Sequence, residues 1–211
     1  MVQARLLDVA IREFGAKGLE GASTREIAAA AGTAMSSITY HYGGKDGLYL
    51  AAAEHIAGMM ADERMVAAVE AAARIEDPVE ARDAIKAMLV RFADKLVDPA
   101  SDEWTLFIVR EQTRPTEAFA RIYQGGMGRM LEALVRLVCV ATGRADDAAS
   151  RVAVVTLAGQ VLILKAARAM CRKLLDGHGE ADDLVAALKG RIAANVDAIL
   201  DRMIAEKREP K

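Results

Sequence analysis

Residues 23–49 read S-T-R-E-I-A-A-A-A-G-T-A-M-S-S-I-T-Y-H-Y-G-G-K-D-G-L-Y. Ser23 and Glu26 have the spacing of a capping box, which marks the start of a helix. Gly32 then permits a turn, and a second short helical pattern runs over residues 34–42. Two short helices joined by a glycine-containing turn are typical of a helix-turn-helix, which places its second helix in the major groove of DNA.

The second helix of this unit is predicted to have one buried face and one exposed face. Ala34, Ile38 and Tyr42 recur every four residues, so they share a side and face inward. Ala34 has no side-chain group that could cap the helix, so Thr33 is the expected cap. Hydroxyl and methyl groups on the other face can reach bases or phosphates, although an ordinary surface helix is the alternative. This outward face carries Met35, Ser36, Ser37, Thr39 and Tyr40.

The flanking segments complete a three-helix unit. Residues 2–17 form an amphipathic helical pattern that Gly18 is expected to stop. Lys45 opens a further helix, and the exposed amide groups of a helix N-terminus attract phosphate. Lys45 is therefore a candidate phosphate contact, and a solvated lysine is the alternative.

The composition favours an all-α protein. Hydrophobic residues make up 53% of the 211 residues but aromatic residues only 4%, and alternating strand-like runs are missing. The net charge is −2, and residues 1–47 contain five basic and five acidic side chains. Charge alone therefore does not indicate nucleic-acid binding, so any DNA contact must come from a local surface.

The chain is expected to work as a reduced cytoplasmic protein. Cys139 and Cys171 lie in apolar helical patterns without a second cysteine nearby, which favours free thiols. No signal peptide or run of about 18 apolar residues is seen, so no membrane span is expected. The histidines are scattered and have no metal-ligand spacing, so neither a metal nor a cofactor is expected.

The pattern over residues 5–50 resembles the DNA-binding domain of the TetR family of bacterial transcriptional regulators. That family combines F-x-x-x-G, T-x-x-x-I-A-x-x-A-G, a recognition helix ending in an aromatic pair, and x-x-K-x-x-L. The matching residues are Phe14, Gly18, Thr24, Ile27, Ala28, Ala31, Gly32, Ile38, His41, Tyr42, Lys45 and Leu48. The variant I-T-Y around Tyr40, and the string F-I-x-R-E-Q-x-x-P-T-x-A over residues 107–118, are similar to the CecR (YbiH) type subgroup.

The resemblance implies an N-terminal helix-turn-helix domain over residues 1–47 and an effector-binding and dimerisation domain over residues 48–211. The implied protein is a ligand-responsive homodimer, most often a repressor, that binds a palindromic operator and is released by a small molecule. The DNA-binding candidates are Thr24, Arg25, Met35, Ser36, Ser37, Thr39, Tyr40, His41 and Lys45. Polar candidates for an effector pocket with apolar walls are Trp104, Arg110, Gln112, Tyr123, Gln160 and Arg168.

Helical patterns cover the remainder and bring the expected total to about nine helices. They span residues 46–74, 78–97, a segment ended by Pro115, 116–141, 145–175 and 181–207. Gly125, Gly126 and Gly128 predict either a kink or a close approach to a neighbour. The last two helices have apolar faces wider than one core needs, and the resemblance implies that they form the dimer interface.

Two other classes of function compete with the regulator. A helical-bundle enzyme would need clustered catalytic groups, and the sequence has no H-E-x-x-H, G-x-S-x-G or similar pattern. A helical adaptor without DNA-binding activity would not need the exposed hydroxyl-rich helix. Both are kept as alternatives.

Overall fold

The computed structural model describes residues 2–98 and 101–208, and within these ranges the chain is helical without a strand. The all-α prediction is confirmed. The helices are α1 (Val2–Gly21), α2 (Thr24–Ala31), α3 (Met35–Tyr42), α4 (Lys45–Met60), α5 (Glu63–Ala72), α6 (Pro78–Val97), α7 (Asp102–Thr113), α8 (Glu117–Ile122), a π-helical segment (Tyr123–Met127), α9 (Gly128–Thr142), α10 (Ala148–Ala166), α11 (Arg168–Leu175) and α12 (Ala181–Arg208).

The twelve α-helices of the described ranges exceed the expected nine because three long helical patterns are interrupted. The chain divides into two compact units. The first unit comprises Met1–Met65 and Pro99–Arg129, and the second comprises Val66–Asp98 and Met130–Lys211. Each unit is built around its own buried side chains.

The two boundaries of α2 follow from local signals. Ser23 caps α2, and its hydroxyl accepts a hydrogen bond from the Glu26 amide at 3.4 Å. Gly32 ends α2 in the left-handed conformation, with φ 71°. Ala34 is the N-cap residue of α3 and makes no side-chain capping bond, so the expected cap by Thr33 is wrong. The Thr33 amide instead donates to the Ala28 carbonyl at 2.9 Å, which continues the turn.

An aromatic cluster holds α1, α4 and α7 together in the first unit. The ring of Tyr49 meets Phe14 edge-on at 4.9 Å and stacks on Phe107 at 4.6 Å. Phe14 and Phe107 are fully buried, and Tyr49 is nearly so. Burying one such side chain stabilises the folded state by about 1.5–3 kcal/mol. The cluster therefore fixes the first helix on α4 and α7.

The helix expected over residues 46–74 is broken after Met60. Ala61 leaves the helical conformation, with φ −91° and ψ 46°. The Asp62 carboxylate then accepts a hydrogen bond from the Met65 amide at 2.9 Å, as an N-terminal capping residue does. Because an aspartate cap competes with helix continuation, the chain restarts as α5 at Glu63.

Two of the three glycines of the expected helix 116–141, Gly125 and Gly126, mark a close approach in the first unit. A side chain at Gly125 would place its Cβ 2.5 Å from the Cβ of Ala57 on α4, and one at Gly126 would lie 3.1 Å from the Cβ of Ala61. Around these glycines the helix widens into the π-helical segment. The missing side chains therefore let this segment pack directly on α4.

The second unit is organised around α6, α10 and α12. The buried residues of α10 are on one side, whereas Val152 and Val155 are exposed on the other. Arg82 of α6 forms ion pairs with Asp197 at 3.1 Å and Asp201 at 2.6 Å on α12. The helix expected over residues 145–175 breaks at Ala167, which separates α10 from α11.

By length and composition alone, α10 could cross a membrane, and it is the one described helix with this property. A core helix of a soluble protein passes the same test. Its apolar residues fall on both the buried side and the exposed side. This two-sided distribution explains its high mean hydropathy.

Candidate nucleic-acid interface

The outward face of α3 is an open, uncharged polar surface. Tyr40 is the most prominent residue, with 84% of its surface exposed, and Met35 is 54% exposed. Ile38 on the opposite side is 1% exposed, so its predicted inward position is observed. Tyr42 is half-buried, but the prediction that Ala34 faces inward is wrong. Ala34 is exposed, because it is the extended N-cap residue that precedes the first turn of α3. The predicted outward residues Ser36 and Thr39 are exposed, as is His41, and Ser37 is half-buried.

The exposed side chains of α3 stand on a closely packed support. Ile38 packs in the same core as Ile27 and Ala31 of α2, and all three are buried. Gly43 ends α3 in the left-handed conformation, with φ 73°. A Cβ added at Gly47 would lie 1.7 Å from the carbonyl oxygen of Tyr42. The end of α3 and the start of α4 therefore lie so close together that only glycine fits.

Two predicted DNA-binding residues lie at the start of α2. Thr24 is half-buried and Arg25 is exposed. The neighbouring acid Glu26 accepts a hydrogen bond from Lys17 at 2.8 Å, and this contact lowers the pKa of the Glu26 carboxyl. Lys17 also pairs with Glu13 at 2.7 Å. Part of the negative charge of the N-terminal helices is thus neutralised within the unit.

Lys45 is engaged with the protein itself. Its ammonium group donates a hydrogen bond to the carbonyl oxygen of Glu20, at the end of α1, at 2.9 Å. The lysine is half-buried rather than fully solvated. A lysine ammonium has three N–H donors, so two are left for other acceptors.

The predicted effector residues are distributed over both units. In the first unit, Trp104 is buried, Tyr123 is partly exposed, and Gln112 donates to the sulfur of Met127 at 3.9 Å. Arg110 donates to main-chain carbonyls of α1. In the second unit, the Gln160 side chain accepts a hydrogen bond from Asn195 at 2.6 Å, and Arg168 lines a groove.

The first unit contains a buried hydrogen-bonding group that no local sequence pattern predicts. The Glu111 carboxylate is 1% exposed and accepts from the Tyr49 hydroxyl at 2.6 Å. It also accepts from the Thr116 amide at 2.9 Å and the Phe119 amide at 3.0 Å. In the sequence, only the charged R-E-Q string near a proline-terminated helix end hints at this hydrogen-bonding group.

Comparison with known proteins agrees with this geometry. Residues 6–52 match the family model "Bacterial regulatory proteins, tetR family". Residues 81–207 match "HTH-type transcriptional dual regulator CecR, C-terminal domain". The chain belongs to the TetR family, in its CecR-type branch. It is 32% identical over 166 residues to the HTH-type transcriptional dual regulator CecR of Shigella flexneri. This alignment covers 76% of this chain and 74% of the relative.

Solved structures of other regulators share the fold of this TetR-family protein. A TetR-like transcriptional regulator from Rhodococcus sp. RHA1 aligns with a TM-score of 0.61 at 21% identity, covering 93% of this chain and 96% of that one. The fatty acid degradation regulator FadR from Bacillus halodurans aligns with a TM-score of 0.59 at 15% identity, covering 90% and 97%. At these identities the likeness shows the fold alone. The family matches show that the chain is a DNA-binding transcriptional regulator of the TetR family.

Proposed function

We propose that this regulator is a ligand-responsive repressor that binds a palindromic operator as a homodimer. Residues 1–47 serve as the DNA-binding domain, and residues 48–211 serve as the effector-binding and dimerisation domain. The observation that carries the DNA-binding role is the face of α3, where an exposed tyrosine stands among exposed hydroxyl groups above a buried isoleucine. Its family consists of transcriptional regulators rather than enzymes.

The proposed contacts divide between bases and phosphates. Residues of α3 reach base edges in the major groove, where a methionine or threonine methyl can meet the thymine methyl group. Thr24, Arg25 and Lys45 contact phosphates, Lys45 with the donors that Glu20 does not use. The base-edge group consists of Met35, Ser36, Ser37, Thr39, Tyr40 and His41.

The first test concerns Tyr40. Tyr40→Ala is expected to weaken binding to the chain's own promoter region by about tenfold or more, since one good contact at an interface contributes on the order of 1–3 kcal/mol. Because the side chain is 84% exposed, the unfolding temperature should change by no more than about 2 °C. Gel-shift titration measures the affinity, and thermal unfolding measures the stability.

Tyr40→Phe is the matched control, because it keeps the ring and removes only the hydroxyl. If Tyr40→Phe binds DNA as tightly as the wild type, the ring makes the contact. If it binds as weakly as Tyr40→Ala, the hydroxyl makes it. Equal DNA binding by wild type and Tyr40→Ala would contradict the proposed interface. Absence of any DNA binding by the wild-type dimer at low salt would favour the enzyme or adaptor alternatives.

The proposed homodimer rests on the uncovered side of α10. Val152, Val155 and Ile163 are exposed there, and Gly159 has no side chain to hold a neighbour away. This apolar stripe is continuous along the helix, since its members recur at helical spacing. An exposed apolar stripe of this kind is typical of a protein–protein interface. A second copy of the chain, packing its own α10 and α12 against this side, would cover it.

The second test places a charge on that stripe. Val155→Asp is expected to shift the oligomer from dimer to monomer, raising the dissociation constant by about 100-fold, because an unpaired carboxylate in an apolar interface costs on the order of 3 kcal/mol. Val79→Asp is the matched control, since Val79 is 69% exposed on α6 against 70% for Val155. Sedimentation velocity measures both variants. A Val155→Asp protein that stays dimeric would contradict the interface.

The proposed effector site is a groove of about 500 Å³ in the second unit. Leucines from α6, α10 and α12 line it together with Cys171, Arg168 and Arg172 of α11. The volume lies within the range of small-molecule sites. A mid-sized, partly apolar molecule suits this lining, and its binding would act on DNA affinity only through a difference in affinity for two conformations. Cytoplasmic location follows from the proposed role.

A further inference from the structure

The backbone of α1 bends near the end of the helix. The helix path breaks at Gly18, which has φ 74° and ψ 174°. Carbonyl groups in the last turn before a helix break lack amide partners further along the chain. In α1 the carbonyls of Gly15 and Ala16 lie in this turn, so donors from another helix can bind them.

Arg110 of α7 supplies those donors. Its Nη2 donates to the carbonyl oxygen of Ala16 at 3.0 Å and of Gly15 at 3.3 Å, and its Nε lies 3.4 Å from the same Gly15 oxygen. A Cβ at Gly18 would lie 3.0 Å from Arg110 Nη1. The glycine thus provides both the backbone break and the space for the guanidinium.

The next residue on α7 makes a second connection. The Glu111 carboxylate binds the Tyr49 hydroxyl of α4 and caps α8 through the Thr116 and Phe119 amides. Two consecutive residues of α7 therefore hold three other helices. Arg110 holds α1, while Glu111 holds α4 and α8. Glu111 and Tyr49 are buried, so the end of α7 is anchored on α4 and α8 where Arg110 meets α1.

We infer that Arg110 is a positioning residue for DNA binding. It fixes the direction of α1 relative to α4 and α7, and α1 in turn carries α2 and α3 through their shared core. The guanidinium acts through the Gly15 and Ala16 carbonyls and does not contact DNA. The inference rests on the proposed dimeric operator binding, in which two recognition helices must match a fixed half-site spacing.

The test compares operators of different spacing, starting from a palindrome selected by the full-length wild-type dimer from a random duplex library. Arg110→Ala is expected to weaken binding to this operator by about tenfold, since it removes charge-assisted hydrogen bonds. Inserting one base pair between the half-sites should lower the affinity of the wild type more than the affinity of Arg110→Ala. The reason is that α1 is held less firmly in the variant. The slope of the logarithm of the binding constant against the logarithm of the salt concentration should stay unchanged. Loss of a phosphate contact would instead lower the magnitude of this slope by about one.

Arg12→Ala is the matched control. Arg12 also joins α1 to α7, through Glu103 at 3.5 Å, but both side chains are exposed. Its removal is expected to change neither affinity nor spacing preference. Arg110→Lys should be intermediate, because a lysine cannot reproduce the planar set of donors.

Three results would overturn the inference. A reduced unfolding temperature with wild-type affinity and spacing preference would make Arg110 a purely structural residue. A salt slope lowered by about one would make it a phosphate contact. Wild-type behaviour in every measurement would leave it without a role. Failure of the wild-type protein to select any operator would instead reject the proposed function.

Discussion

Replacing Gly47 with alanine is expected to lower the free energy of unfolding by about 3 kcal/mol, because overpacking a tight contact costs this order of energy. The added Cβ would lie 1.7 Å from the carbonyl oxygen of Tyr42. That oxygen belongs to the main chain, so the overlap can be relieved only by moving the start of α4 away from α3. Alanine normally favours a helix over glycine by about 1 kcal/mol, and here the overlap outweighs this gain.

The measurement is thermal unfolding at fixed protein concentration. For a chain of this size, 3 kcal/mol corresponds to a decrease of about 6–12 °C in the unfolding temperature. Gly58→Ala is the matched control on the same helix, because nothing lies within 4 Å of its Cβ position. It should raise the unfolding temperature by about 2–4 °C, since only the helix propensity changes. Equal effects of the two substitutions would show that α3 and α4 are not in close contact.

Removing the Glu111 carboxylate is expected to have the second large effect. Glu111→Ala leaves the Tyr49 hydroxyl and the Thr116 and Phe119 amides without their acceptor in a buried site, at a cost of about 4 kcal/mol. Burial raises the pKa of the Tyr49 phenol, and its hydrogen bond to Glu111 raises it further, so Tyr49 acts as a neutral donor. Urea unfolding at fixed protein concentration measures the loss.

Two further variants test the hydrogen-bond account of Glu111. Glu111→Gln should cost only about 1.5 kcal/mol, because its amide oxygen can accept from α8 while its NH₂ group faces the Tyr49 oxygen. Glu103→Gln on the same helix is the exposed control and should stay within about 0.5 kcal/mol of wild type. If Glu111→Gln were as unstable as Glu111→Ala, charge rather than hydrogen bonding would be the stabilising factor.

Local signals explain why much of the fold was predictable. The Ser23 cap, the Gly32 turn and the proline at the start of α6 act on their own neighbours, and the sequence places all three correctly. The four-residue spacing of Ile38 and Tyr42 likewise predicts the inward face of α3, because helix geometry fixes it, whereas Ala34 lies before the first turn and is exposed. The exposure of Tyr40 follows from the same spacing.

Tertiary packing explains what the sequence could not predict. The break after Met60 depends on Asp62 capping a new helix, which competes with an otherwise continuous helical pattern. The π-helical segment depends on the approach of Gly125 and Gly126 to α4, and glycine alone indicated either a kink or a contact. Hydrogen bonds of Lys45 and Arg110 to carbonyls of α1 join residues 25 and about 95 positions apart, beyond any local pattern.

Arg110 recognises α1 through main-chain oxygens, and this has a consequence for protein engineering. Carbonyl groups are the same whatever side chains the last turn of α1 carries. The N-terminal helices of a different regulator could therefore replace those of this chain, provided that they keep a glycine at the position of Gly18 and an aromatic ring at the position of Phe14. Chimeric sensors with exchanged operator specificity would then need one backbone bend and one buried ring, and the other side chains in the last turn of α1 could differ.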